Sequence, residues 1–120
     1  MKRFSIERTD PVNGRIIRVD IEGNRKVLPD IMPYGKCMDF VARHQEELKI
    51  YKIARTLHRR NGKRRFIKSI YASSQNEAVL YFDNMYVPES DATFQLLTGD
   101  WKIVAHFMVV NNVRGLTQLN

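Results

Sequence analysis

Seven basic side chains, Arg55, Arg59, Arg60, Lys63, Arg64, Arg65 and Lys68, fall within residues 55–68, and no acidic residue stands among them. A block of like charge repels itself and destabilises a compact chain unless it sits in a flexible tail or meets an anion. More than fifty patterned residues follow this block, which argues against a tail. Five of the seven are arginines, whose planar guanidinium suits bidentate phosphate contact better than a lysine ammonium.

At the centre of the block stands Asn61-Gly62, flanked by β-branched and aromatic runs, the strongest short-range signal for a two-residue hairpin. A type I′ turn there sets Arg60 opposite Lys63, Arg59 opposite Arg64, His58 opposite Arg65, Leu57 opposite Phe66, Arg55 opposite Lys68 and Ile53 opposite Ile70. One face then holds Tyr51, Ile53, Leu57, Phe66, Ile70 and Ala72 and is assigned to the core, with Arg59 and Arg64 at its tip. The other face shows Lys52, His58, Arg60, Lys63, Arg65 and Tyr71. Like charges directly opposite one another are destabilising. Phosphates would relieve that repulsion, with counterion release supplying binding free energy. Tyr71 and His58 would add stacking or hydrogen bonds to exposed bases. The expectation is a protein that binds nucleic acid, DNA or RNA, through the phosphate backbone and largely without sequence readout. Its interface would comprise Arg55, His58, Arg59, Arg60, Lys63, Arg64, Arg65, Lys68 and Tyr71. The alternative is a small accessory or inhibitory protein that docks the same hairpin into an acidic surface of another protein. The bland reading is a solvated hairpin whose charges only maintain solubility.

Other chemistry is thinly represented. His44 lies on the apolar stripe of a helix and His106 among apolar strand residues, where hydrogen-bonded core histidines are commoner than ligands or bases. Cys37 and His44 share a helical face but stand seven residues apart, too far for direct contact in an ideal helix. Glu46, Glu47, Asp83, Glu89, Asp91 and Asp100 show no metal-binding spacing, and no Gly-rich phosphate loop is present. An enzyme is therefore not expected, and no cofactor or metal is called for.

The elements that must carry the hairpin follow from periodicity. Phe4 and Ile6, then Ile17, Val19 and Ile21, alternate with polar neighbours as half-buried strands. The segment from Asp10 to Gly14 supplies turn chemistry between them. Gly23-Asn24 suits a two-residue turn that would pair Glu22 with Arg25, leading into a short strand through Val27 and Leu28 that Pro29 ends. Cys37, Phe40, Val41, His44 and Leu48 form a helical stripe over residues 36–48, with Pro33 and Gly35 before it. Ser74 and Glu77 have capping-box spacing, and Ala78, Val79, Phe82 and Tyr86 continue a helix up to Pro88. Asp91 to Leu97 reads as a second short helix, with Gly99 for its left-handed end. Trp101 to Val110 is apolar on both sides and reads as a central strand covered on both faces. The fold class is α+β: an N-terminal β-meander, then a split β-α-β-β-α-β (ferredoxin-like) arrangement, an antiparallel sheet with helices on one face.

Composition sets the bounds. With 120 residues, 43% hydrophobic and 28% charged, one folded domain spanning residues 1–120 is expected. The net charge is +7, an amount equal to that of residues 55–68 alone. Residues 1–54 carry 11 bases against 8 acids, and residues 69–120 carry two against five. No apolar run approaches the roughly 20 residues of a membrane span, so no membrane partner is expected. The N-terminal residues read as a strand and not a signal peptide. The single Cys37 allows no intramolecular disulfide, which suits a reducing, cytoplasmic setting. Residues 56–86, a basic hairpin through Asn61-Gly62-Lys63-Arg64-Arg65 and then a capped helix, resemble the arm-binding domains of phage integrases in composition. Gly99 to Val104 is similar to the last strands of cone-shaped NTF2-like domains. Each resemblance covers only a fragment and assigns no family.

Overall fold

The computed structural model describes residues 1–87 and 91–119 and is α+β, with two helices and two antiparallel sheets. It separates into two compact units, residues 1–48 and 49–120. The strands of the β-α-β-β-α-β run are accordingly divided between two sheets and do not form a single split one.

In the first unit, β1 (Phe4–Arg8), β2 (Asn13–Val19) and β3 (Arg25–Val27) form the meander, and β4 (Met32–Pro33) pairs with the start of β2. Helix α1 (Tyr34–His44) packs on β1 and β2 and buries Cys37, while Phe40 meets Phe4 edge-on at 5.4 Å. The expected Gly23-Asn24 two-residue turn is absent. Val19 pairs with Arg25, and Asp20 organises a longer loop, its carboxylate accepting from the Glu22 and Asn24 amides. Glu22 therefore has no place opposite Arg25. The helix also stops short of Leu48. Gln45 turns extended, and its amide both accepts from the Phe4 N–H at 2.9 Å and donates to the Phe4 carbonyl at 2.8 Å. That side chain completes the edge of β1 as a neighbouring strand would, and Leu48 is buried beyond it.

The second unit holds β5 (Lys49–Leu57), β6 (Arg65–Ala72), α2 (Gln75–Asp83), β7 (Ala92–Thr98), β8 (Ile103–Val110) and β9 (Val113–Gln118). The sheet order is β6-β5-β7-β8-β9, antiparallel throughout. Ser74 caps α2, accepting from the Glu77 amide at 3.2 Å, as the capping spacing predicts. The helix buries Ala78, Val79 and Phe82 against the sheet. Tyr86 lies past its end and is exposed, and the expected Pro88 stop lies outside the described residues. Phe82, Phe107 and Phe94 stack in series, with centroids 4.7 and 5.0 Å apart. Arg114 lies 4.2 Å over the Phe107 ring and donates to the Met85 carbonyl at 2.7 Å, a cation placed at the helix C-terminus where the dipole favours it.

Three further elements differ from expectation. Residues 92–98 form β7 and not a helix, because each pairs with β5: Leu57 with Ala92, Arg55 with Phe94, Ile53 with Leu96. β8 is interior to the sheet but covered on one face only, with Ala105, Phe107 and Val109 buried while Ile103, Met108 and Val110 are exposed. The type I′ turn lies at Asn111-Asn112, both left-handed, between paired Val110 and Val113. It creates β9, a strand the periodicity did not reveal.

Phe82 is fully buried at the centre of this core. Truncating it to Ala is expected to cost about 3–5 kcal/mol in denaturant unfolding, the usual range for a buried phenylalanine. The exposed Leu80 on the same helix should tolerate Ala within about 0.5 kcal/mol, as surface positions do.

Candidate functional site

The basic hairpin exists, but its register differs from the expected one. At the open end Tyr51 pairs with Ile70 and Ile53 with Lys68; nearer the tip Ala54 pairs with Phe66 and Arg55 with Arg65. Ile67 is the extra residue of a bulge between these two registers. A bulge of one residue turns every side chain beyond it to the other face. Phe66, expected in the core opposite Leu57, is 54% exposed, while Arg65 joins the face of Arg55 and Phe94. Tyr51, Ile53, Ile70 and Ala72 lie on the open-end side of the bulge and remain buried, as expected.

The turn also differs. Asn61 has a φ of 65°, but Gly62 is not left-handed, and the Gly62 amide donates to the Arg59 carbonyl at 2.9 Å. No two-residue turn forms, and residues 58–64 make a broad loop. Electrostatics favours this outcome, because the tight turn would set Arg59 against Arg64 and Arg60 against Lys63 at cross-strand distance. Gly62 is required for a different reason from the one expected: a Cβ there would lie 2.2 Å from the Leu57 carbonyl oxygen.

The broad loop and the tips of both strands enclose a concavity of about 410 Å³ lined by Arg55, Leu57, Arg59, Asn61, Gly62, Lys63 and Arg65. Four of those seven residues are cationic, and none forms an ion pair among the described residues. Such a group can meet an anion, since like charges gathered along one hollow add their fields and no carboxylate among the described residues pairs with them. The other expected residues go elsewhere. Arg60 is exposed on the loop. His58 Nε2 lies 2.7 Å from Thr93 Oγ1. Lys68 hydrogen-bonds the Tyr81 hydroxyl of α2, with its ammonium 4.9 Å from that ring's centroid. Tyr71 is half-buried opposite Ile50. Arg64 crosses to the opposite sheet face and reaches Gln95 Oε1 at 3.4 Å.

That opposite face carries residues outside the expected interface. Lys52, Ala54 and Phe66 share it with Gln95 and His106 by register. Trp101, from the β7–β8 turn, completes a cluster: the Lys52 ammonium lies 4.0 Å over its ring, the Arg64 guanidinium 5.7 Å away, and Phe66 meets it at 6.5 Å in a T-shaped contact. Trp101 itself is 46% exposed and has a φ of 67°. A bulky residue in the left-handed region costs on the order of 1–3 kcal/mol, a position normally left to glycine. The loop is a three-residue connection closed by the Thr98 amide on the Lys102 carbonyl at 2.8 Å and the Trp101 amide on the Thr98 carbonyl at 3.0 Å. The Thr98 hydroxyl donates to the Asp100 carboxylate. That hydrogen bond, then one from the Asp100 backbone, holds the Asp100 carboxyl below its ordinary value. His44, expected in the core, is exposed on α1 with its ring 4.5 Å from that of Phe40, and His106 is half-buried on the Trp101 face.

A pH dependence follows for the Trp101 turn. A depressed folded-state pKa contributes stability that is present above the unfolded aspartate value and is lost as pH falls through the lowered folded value. Acid titration should therefore shift Trp101 emission in a step below the ordinary aspartate range, and Asp100→Asn should remove that step. An unchanged step in the variant would place the titrating group elsewhere. Separately, Gly62→Ala should open the loop and weaken amide protection at Gly62, read by hydrogen exchange, while amides of the paired residues 49–53 keep theirs.

Compared with protein-family models, with curated proteins and with solved structures, the chain matches none of them.

Proposed function

We propose that this protein binds nucleic acid through the phosphate backbone, largely without sequence readout, by means of the β5–β6 hairpin. The observation that supports this reading is the concavity at the hairpin tip, where Arg55, Arg59, Lys63 and Arg65 converge with no ion-pair partner among the described residues. Three arginines and a lysine around one hollow match the spacing-tolerant chemistry of phosphate contact, in which each neutralised phosphate releases condensed counterions. Lys68 is set aside from the contact set, since its ammonium already engages Tyr81. No helix among the described residues is long and apolar enough to cross a membrane.

Four phosphate contacts on duplex DNA should give log K falling against log[salt] with a slope of about −3 to −4. Changing Arg59, Lys63 and Arg65 together to Ala, all exposed, should move stability by no more than about 0.5 kcal/mol each. Affinity should fall for every sequence tested, with the slope shallower by about one unit per charge removed. The control removes the same charge from the other unit through Arg25, Lys26 and Lys36, all exposed, and should leave affinity near that of the parent. Equal weakening by both variants would make net charge, not this site, the cause. Displacement of DNA by poly-glutamate of equal charge, as readily as by DNA itself, would favour an acidic protein surface as the partner.

A further inference from the structure

We infer that the exposed cluster around Trp101 is a base-stacking platform, so that this protein takes single-stranded nucleic acid in preference to duplex; this rests on the hairpin reading above. The left-handed position at residue 101 is one where glycine is free of strain and tryptophan is not, yet the chain places its only tryptophan there. The indole nevertheless remains 46% exposed. A strained backbone that presents a large aromatic ring to solvent calls for a use of that ring.

The surroundings specify the use. Lys52 at 4.0 Å and Arg64 at 5.7 Å place two cations against the same ring that Phe66 meets edge-on, and Phe66 is itself 54% exposed. Exposed aromatics set among cations are the pairing that captures unpaired bases, the rings stacking on the base and the cations meeting the phosphates on either side. A purely apolar partner would leave Lys52 and Arg64 buried without compensation, whereas a polyanion with planar bases satisfies both parts. The hairpin links this platform to the phosphate site. Arg64, the last residue of the loop, and Arg65, the first of edge strand β6, are sequence neighbours whose side chains reach opposite sheet faces, so a polynucleotide crossing that edge meets both groups. Duplex DNA keeps its bases stacked internally and offers none to the indole.

Because Trp101 is the only tryptophan, its fluorescence reports on the platform directly. Titration with oligo(dT) of about 12 nucleotides, within the site sizes such faces take, should quench the emission. A duplex of equal length should bind with little quenching. Trp101→Gly relieves the backbone strain and should keep or raise the melting temperature while weakening oligo(dT) binding about 5- to 150-fold, the range expected for one base stack. Its duplex affinity should stay unchanged, and Trp101→Tyr, which keeps a ring, should recover most of the oligo(dT) affinity. If the Gly variant binds oligo(dT) like the parent, or if duplex quenches as strongly as single strand, the platform is refuted and the hairpin reading stands. If the parent binds neither nucleic acid at low salt, both readings fall. If the Gly variant instead turns a dimer into a monomer with oligo(dT) binding intact, the cluster is an interface between copies of this chain and the proposal is overturned.

Discussion

β5 carries a hydrogen-bond ladder on each edge, and the two ladders end at different points. On the β7 side pairing runs to Leu57 opposite Ala92, and the His58 amide then donates to the Asp91 carbonyl at 2.8 Å. On the β6 side pairing ends at Arg55 opposite Arg65. The far end of β5 is thus held firmly by one neighbour while the other has already departed. Residues 58–64 bridge the resulting gap. The concavity, its four cations and the divergence of Arg64 from Arg65 all descend from that difference in length.

Like-charge repulsion favours the early departure of β6. Seven bases within residues 55–68 cannot all face one another across a tight ladder without mutual repulsion. A tight turn maximises that repulsion, and a broad loop disperses it. The cost of the broad loop is small, since loop-closure entropy rises only slowly with length. Bases that repel within the chain are thereby arranged around a hollow, where a single polyanion could meet several at once.

Much of the architecture was legible in residue patterns, and the failures have identifiable causes. The capping spacing of Ser74 and Glu77 located α2, and strand alternation located β1, β2, β5 and β6, because those signals are local. Ala92 to Thr98 carries apolar residues at spacings compatible with either helix or strand, and only the long-range ladder to β5 decides between them. Asn61-Gly62 is the stronger turn dipeptide, yet the left-handed pair formed at Asn111-Asn112, where flanking Val110 and Val113 carry no charge to repel. At the candidate site the cationic segment was legible as composition. Which of its side chains share a face was not, because one bulged residue, Ile67, decides it. Trp101 escaped notice for a related reason: a residue next to Gly99 and Asp100 reads as the start of a strand, and its unusual backbone is visible only in three dimensions.

The bulge at Ile67 has a consequence for the chain's dealings with its own copies. β6 lies at the margin of the five-stranded sheet, and its outer backbone groups are the kind of template on which another molecule's strand can add. An extra residue interrupts the even spacing of those groups and bends the strand, so an incoming strand finds no long register to match. Arg65 at one side of the irregularity and Lys68 at the other add charge to the same margin. The feature that sorts the bases between two faces therefore also guards this edge against intermolecular sheet growth and the aggregation that follows from it.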